Sequence, residues 1–199
     1  MDTTVLHALN GFFFHHDVVE DAIVAYVDAA ELLFLGALLV AFSLVPGAAR
    51  HGARRAVVAA GLSAGLALGI AQVISHLVHR PRPFVADPSG VHVFTAHAAD
   101  SGFPSDHATA AFAIAVAIFL RNRRWGAVAL VFASVLAVGR VAMGVHYPSD
   151  VLGGAALGAA CAVALGLEPV RRLLNRLADF AGGLLDGIVA RMRPPASRA

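Results

Sequence analysis

Three short clusters in this chain bring together residue types suited to phosphoryl transfer: Arg80-Pro81-Arg82-Pro83-Phe84, Pro104-Ser105-Asp106-His107, and the run from Arg140 to Asp150 that contains His146. His146 and Asp150 are four apart, one helical turn if a helix starts near Pro148. A carboxylate at that spacing can accept a hydrogen bond from the imidazole Nδ1, fixing the tautomer and leaving Nε2 as a nucleophile. Arg140 and Arg82 supply planar forks that can pair with phosphoryl oxygens. Ser105 offers a hydroxyl, and His107, when protonated, can donate to a leaving oxygen. The second cluster stands where a helix would begin, and a helix N-terminus favours anions. Each cluster also has a plainer reading. His146 can be an interfacial histidine with Asp150 as an N-cap, Ser105 and Asp106 can simply cap a helix, and the arginines can snorkel from a Pro-rich loop.

The elements that must position these residues read as membrane helices. The hydrophobic fraction is 58%, the charged fraction 14% and the mean hydropathy +0.73. A soluble domain carries about a quarter charged residues, so the bilayer is the expected solvent. The pI of 9.3 does not point to nucleic acid, because the net charge is only +2 and the basic residues are dispersed. All 15 basic residues are arginine, so any fixed cation must be Arg. Cys161 is the single cysteine, which rules out an intrachain disulfide. No basic start followed by an apolar core and cleavage site is visible at Met1 to Asn10, so no cleavable signal peptide is expected.

Along the chain, Thr3 to His16 reads as a short interfacial helix, with Asp17 and Glu20 as a capping box for the first span. Spans are expected at Val18 to about Val45, Arg54 to about His79, His107 to Leu120, Trp125 to about Met143, and Asp150 to Leu167. The third is short for a crossing of about 20 residues, so its ends are expected to extend into the flanking residues. Arg171 to Met192 reads as an amphipathic surface helix and Arg193 to Ala199 as a disordered tail. The fold class is therefore an all-α polytopic membrane bundle of about five to six transmembrane helices with an amphipathic C-terminal helix. It forms one domain over 1–199, with a core at about 10–167, a surface helix at 168–192 and a tail at 193–199. With five spans, Arg50, Arg54 and Arg55, Arg121, Arg123 and Arg124, and the C-terminal arginines share one side, the cytoplasmic one by the positive-inside rule. Arg80, Arg82 and Arg140 then lie opposite, where topology gives them no reason to be.

The clusters resemble the three-part motif of the type 2 phosphatidic acid phosphatase superfamily: Lys, six residues and Arg-Pro; Pro-Ser-Gly-His; then Ser-Arg, five residues, His, three residues and Asp. Arg82-Pro83, Pro104-Ser105-x-His107 and Arg140-x5-His146-x3-Asp150 match in order and spacing. Ser75 stands at the lysine position, Asp106 replaces the glycine and Gly139 the serine. Gln72, Ser75, the Arg-Pro-Arg-Pro-Phe run and Phe103 to Ala108 are similar to the bacterial undecaprenyl-diphosphate phosphatases of the bacitracin-resistance type. The resemblance implies that His146 attacks phosphorus and Asp150 orients it, and that His107 first protonates the leaving group and then activates water. Arg82, Ser105 and Arg140 hold the phosphate, with Arg80 or His79 compensating for the missing lysine. Asp106 sits among the phosphate-side residues and either points away or responds to protonation; Ser75, His79 and Gln72 line the substrate side.

The implied enzyme uses no metal or other cofactor. It acts on a lipid-linked phosphate or diphosphate from the outer face of a bacterial plasma membrane, with no nucleic-acid partner. Phosphatidic acid and phosphatidylglycerophosphate are the competing substrates, a vanadate-type haloperoxidase shares the anion site, and a non-catalytic lipid-phosphate transporter or binder is the competing class. His76 and His79 make a poor metal site by themselves. His92 and His97 are placed at the entrance, residues 85–103 are a candidate lid, and Asp28 and Glu31 receive no role.

Overall fold

The computed structural model describes residues 1–192; the tail expected from Arg193 onward lies outside the described residues. The described residues form eight helices: α1 (Asp2–Phe14), α2 (Asp17–Ser43), α3 (Ala49–Val78), the single turn α4 (Pro83–Ala86), α5 (Asp106–Phe119), α6 (Arg123–Ala142), α7 (Pro148–Gly166) and α8 (Val170–Met192). The all-α bundle is as expected, but the number of spans is not. Among the described residues only four helices, α2, α3, α6 and α7, are long and apolar enough to cross a membrane. The expected third span, α5, has 14 residues and does not lengthen into its flanks. Pro104 and the extended Ser105 stop it at one end. At the other, Asn122 accepts from the Trp125 N–H and caps α6. The capping box expected at Asp17 is also absent: α2 includes Asp17, and His16 precedes it without a side-chain cap.

α5 is the central post of the bundle, packed against α3, α6 and α7, and none of its residues is exposed. Small residues allow this. A Cβ on Gly158 would lie 2.2 Å from the Thr109 carbonyl oxygen and 2.8 Å from the Ala113 nitrogen. Those are backbone atoms of α5 and cannot swing aside, so the glycine sets the α5–α7 distance. Gly158→Ala is expected to force the helices apart at a cost of about 1–3 kcal/mol. It should appear as a lower thermal unfolding midpoint in detergent, together with reduced activity.

The arginine-rich end is closed by α8. Arg54, 2% exposed, forms a two-pronged pair with Asp186 at 2.8 and 2.7 Å. Arg55 does the same with Asp179 at 3.0 and 2.7 Å, and Arg121 donates to Asn175 at 3.2 Å. Leu174, Ala178 and Gly182 form the buried stripe of α8, while Leu173, Leu177, Phe180, Leu184 and Ile188 remain exposed. At the opposite end, α1 is docked by Leu6 (1% exposed) and by Asn10. The Asn10 amide donates to the carbonyls of His92 and Ala142, each at 2.7 Å, and its oxygen accepts from the His92 N–H at 2.9 Å. One side chain thus joins α1, the long loop and the end of α6.

Candidate active site

The end away from the arginine cluster carries all three sequence clusters. α5 starts there after Ser105, α6 ends there at Ala142, and α7 starts there at Pro148. The Ser105 N–H donates to the Asp150 carbonyl at 3.1 Å, tying the starts of α5 and α7 together. Gly144, at φ +74°, turns the chain between α6 and α7 and brings His146 inward.

His146 is 2% exposed and its ring is held from both sides. Nδ1 lies 2.9 Å from the Gly102 carbonyl oxygen, which can only accept, so Nδ1 carries the proton. The Nε2 lone pair then accepts from two cations, Arg82 NH1 at 3.1 Å and Arg140 NH2 at 3.4 Å. This corrects the expected partner. Asp150 Oδ2 is 3.8 Å from Nδ1, too far for a hydrogen bond. Asp150 instead accepts from the Tyr147 N–H at 2.8 Å and from Arg80 at 2.6 Å, so it does cap α7 while standing beneath the ring as a buried charge.

The two arginines are themselves held. Arg82 Nε donates to Asp100 at 2.7 Å and its NH1 also reaches the Val145 carbonyl at 3.1 Å. Arg140 NH2 lies 3.0 Å from His97 Nε2, and its buried Nε has no partner. The Ser105 hydroxyl is likewise buried and unpartnered. The Arg140 Nε–H and the Ser105 hydroxyl are thus buried donors awaiting an acceptor.

A cavity of about 610 Å³ opens onto this group. Its polar end is lined by Arg82, His97, Asp106, His107, Arg140 and His146. Its apolar end runs between α2, α3 and α5 along Phe34, Leu35, Leu68 and Ile114. Gln72 and Ser75 line it too, and Gln72 donates to Asp106 at 2.9 Å, holding that carboxylate at the pocket wall. His107 Nε2 is 3.3 Å from Glu31 of α2.

Residues 56–168 match the PAP2 superfamily. The chain belongs to that superfamily. It is 34% identical to the undecaprenyl-diphosphatase BcrC of Bacillus subtilis over 153 residues, 77% of this chain and 76% of that protein. It is 44% identical to the putative undecaprenyl-diphosphatase YbjG of Escherichia coli over 86 residues, 43% of this chain and 42% of that one. Its fold is similar to that of Aquifex aeolicus LpxE, with a TM-score of 0.65 at 19% identity, covering 82% of this chain and 93% of the other.

Within this PAP2 phosphatase, the expected phosphate-side residues Arg80 and Ser105 and the expected substrate-side residue His79 do not line the cavity. Arg80 turns away from the cavity because Asp2, Ser149 and Asp150 take both of its terminal nitrogens. His79 is the exposed left-handed residue (φ 47°) that ends α3, and it does not line the cavity. Neither fills the place of the family lysine. Conversely, Asp100 and Glu31 enter the site without having been predicted there, and His97 goes deeper than an entrance residue. No spacing rule marks them, since the loop carrying His97 and Asp100 has no period and Glu31 meets His107 only through the packing of α2.

Burial, reinforced by the nearby Arg140 and Arg82 charges and opposed by Asp150, pushes the His146 imidazole down to about 4. Its unfolded value is about 6.5, so the unfolded chain binds this proton more readily. The stability attached to the neutral ring is complete above pH 6.5 and is lost as pH falls towards 4. The Nε2 lone pair likewise survives down to about pH 4. The acid limb of kcat/KM that belongs to His146 is therefore expected near pH 4, well below the ordinary imidazole range. A pH–rate profile corrected for unfolding checks this; a limb at 6–7 that vanishes in a His146 variant would contradict it.

Proposed function

We propose that this PAP2-superfamily membrane phosphatase hydrolyses undecaprenyl diphosphate to undecaprenyl phosphate and inorganic phosphate through a phosphohistidine. One observation carries the reading: the lone pair of His146 Nε2 faces Arg82 and Arg140 at the floor of a cavity whose other end is apolar. A terminal phosphoryl group entering that space takes the guanidinium N–H groups now turned to the ring and to His97, together with the Ser105 hydroxyl and the first N–H groups of α5.

His146 Nε2 then forms the N–P bond as the bond from phosphorus to the bridging oxygen breaks, and His107 gives its proton to the departing lipid phosphate. In the second half, His107 takes a proton from water, the water oxygen bonds to phosphorus, and the N–P bond breaks to release phosphate. Asp150 stabilises the charge that the ring acquires, through space rather than by a direct hydrogen bond. The apolar limb of the cavity suits the first isoprene units of the tail, and the similarity to BcrC over most of both chains favours the diphosphate.

The orientation follows from charge. The site lies at the end opposite Arg54, Arg55 and Arg121, so the positive-inside rule turns it to the outer face, with α8 along the inner membrane surface. The test is phosphate release in detergent with excess chelator from undecaprenyl diphosphate, phosphatidic acid and phosphatidylglycerophosphate in parallel. Preference for the diphosphate supports the assignment, equal or better turnover of a glycerophospholipid moves it to that substrate, and binding without release moves the protein to the non-catalytic class.

A further inference from the structure

Arg80 is fixed by more bonds than a loop residue needs. Its carbonyl accepts from the Gly102 N–H at 2.7 Å, and the Gly102 carbonyl is the acceptor for His146 Nδ1 at 2.9 Å. Its guanidinium donates to Asp150 Oδ1 and to the Ser149 hydroxyl, each at 2.6 Å, and lies 4.4 Å over the Tyr147 ring. The backbone of one residue thus sets the group that fixes the tautomer of His146, and its side chain sets the carboxylate beneath that ring.

The network closes on α1. Asp2 Oδ2 accepts from Arg80 NH2 at 2.8 Å and from the Ser149 hydroxyl, while Oδ1 accepts from the Ser149 N–H at 2.9 Å. Asp2 lies in the first turn of α1, more than fifty residues before the segment that matches the superfamily. Without Asp2, Arg80 keeps only the partners on one of its terminal nitrogens. The guanidinium is 29% exposed, so it then has room to pivot about Asp150 and carry that carboxylate with it. The Ser149 N–H, at the start of α7, loses its acceptor at the same moment.

We infer that Asp2 is a positioning residue for phosphoryl transfer, holding Arg80 and Ser149 so that Asp150 and Gly102 keep the His146 ring aligned. The inference rests on His146 being the nucleophile. Asp2 touches no reacting atom and acts through Arg80 and Ser149. A misplacement of about 1 Å at a reacting group is enough to lower a rate by as much as about 100-fold, so a second partner on Arg80 has a large effect to exert.

The experiment is a double-mutant cycle on the full chain in detergent, with phosphate release from undecaprenyl diphosphate as the readout and the phosphohistidine burst counting active sites. Asp2→Ala is expected to lower kcat per active site roughly tenfold with KM unchanged, and Asp2→Asn to fall between it and the parent. Asp2→Ala combined with Arg80→Ala should lose clearly less than the product of the two single losses, since the two share one network. Losses that multiply, an unchanged kcat per active site, or a change confined to KM would overturn the inference. A parent that releases no phosphate and shows no burst would instead remove the reading beneath it. Counting active sites keeps the result interpretable when a variant folds in part.

Discussion

His146→Ala is expected to lower kcat by at least about 10⁴-fold, the range seen when a nucleophile that forms a covalent intermediate is removed. The variant keeps Arg82, Arg140 and Ser105, so the phosphate still finds its donors and binding of an uncleavable phosphonate analogue should change little. What is lost is the atom proposed to accept phosphorus. Water cannot replace it efficiently, because the space left by a ring 2% exposed lies under two guanidinium groups, and the neighbouring Asp150 carboxylate is already held by Arg80 and the Tyr147 N–H. Rapid acid-free quenching with labelled substrate should trap an alkali-stable, acid-labile phosphoprotein in the parent and none in the variant. A labelled variant would move the nucleophile elsewhere.

The second large effect is expected at Arg140. Arg140→Lys should lower kcat/KM by about 10²–10³-fold although the charge is kept. Arg140 is 4% exposed, reaches His97 and His146 through one nitrogen, and holds a second, buried N–H with no partner. An ammonium cannot present those two donors in one plane, and its shorter reach leaves the phosphate with one contact in place of two. Steady-state kinetics on Arg140→Lys, with His97→Ala beside it, separates the parts. Among the described residues the His97 side chain bonds only to this arginine, so its loss should be much milder. If Arg140→Lys is nearly as active as the parent, the fork is not the phosphate clamp.

Much of this site is legible in the sequence because its chemistry demands fixed spacings near helix starts. Ser105 and His107 flank the start of α5, and Asp150 falls in the first turn of α7 because Pro148 can only open a helix there. What spacing does not reveal is how loops close on one another. Gly102 displaces Asp150 as the acceptor for His146 through a carbonyl, which any residue possesses and no pattern records. Arg80 and Arg82 look interchangeable in an Arg-Pro-Arg-Pro run, yet one faces the cavity and the other α1. Counting spans failed for a similar reason. Hydropathy alone makes an apolar stretch look like a crossing, whereas α5 is apolar because protein surrounds it and is too short to need lipid.

That short central helix has a consequence for how a long-chain lipid is handled. α5 measures about 21 Å, so a site at its start sits below the ends of the longer helices around it. Gln72 reaches the same cavity from six residues before the end of α3, and Glu31 reaches it from the fifteenth residue of α2. The headgroup therefore sinks to the reaction centre while the hydrocarbon stays among hydrocarbon. Drawing each methylene into water would cost about 0.8 kcal/mol, a penalty that a recessed floor never incurs.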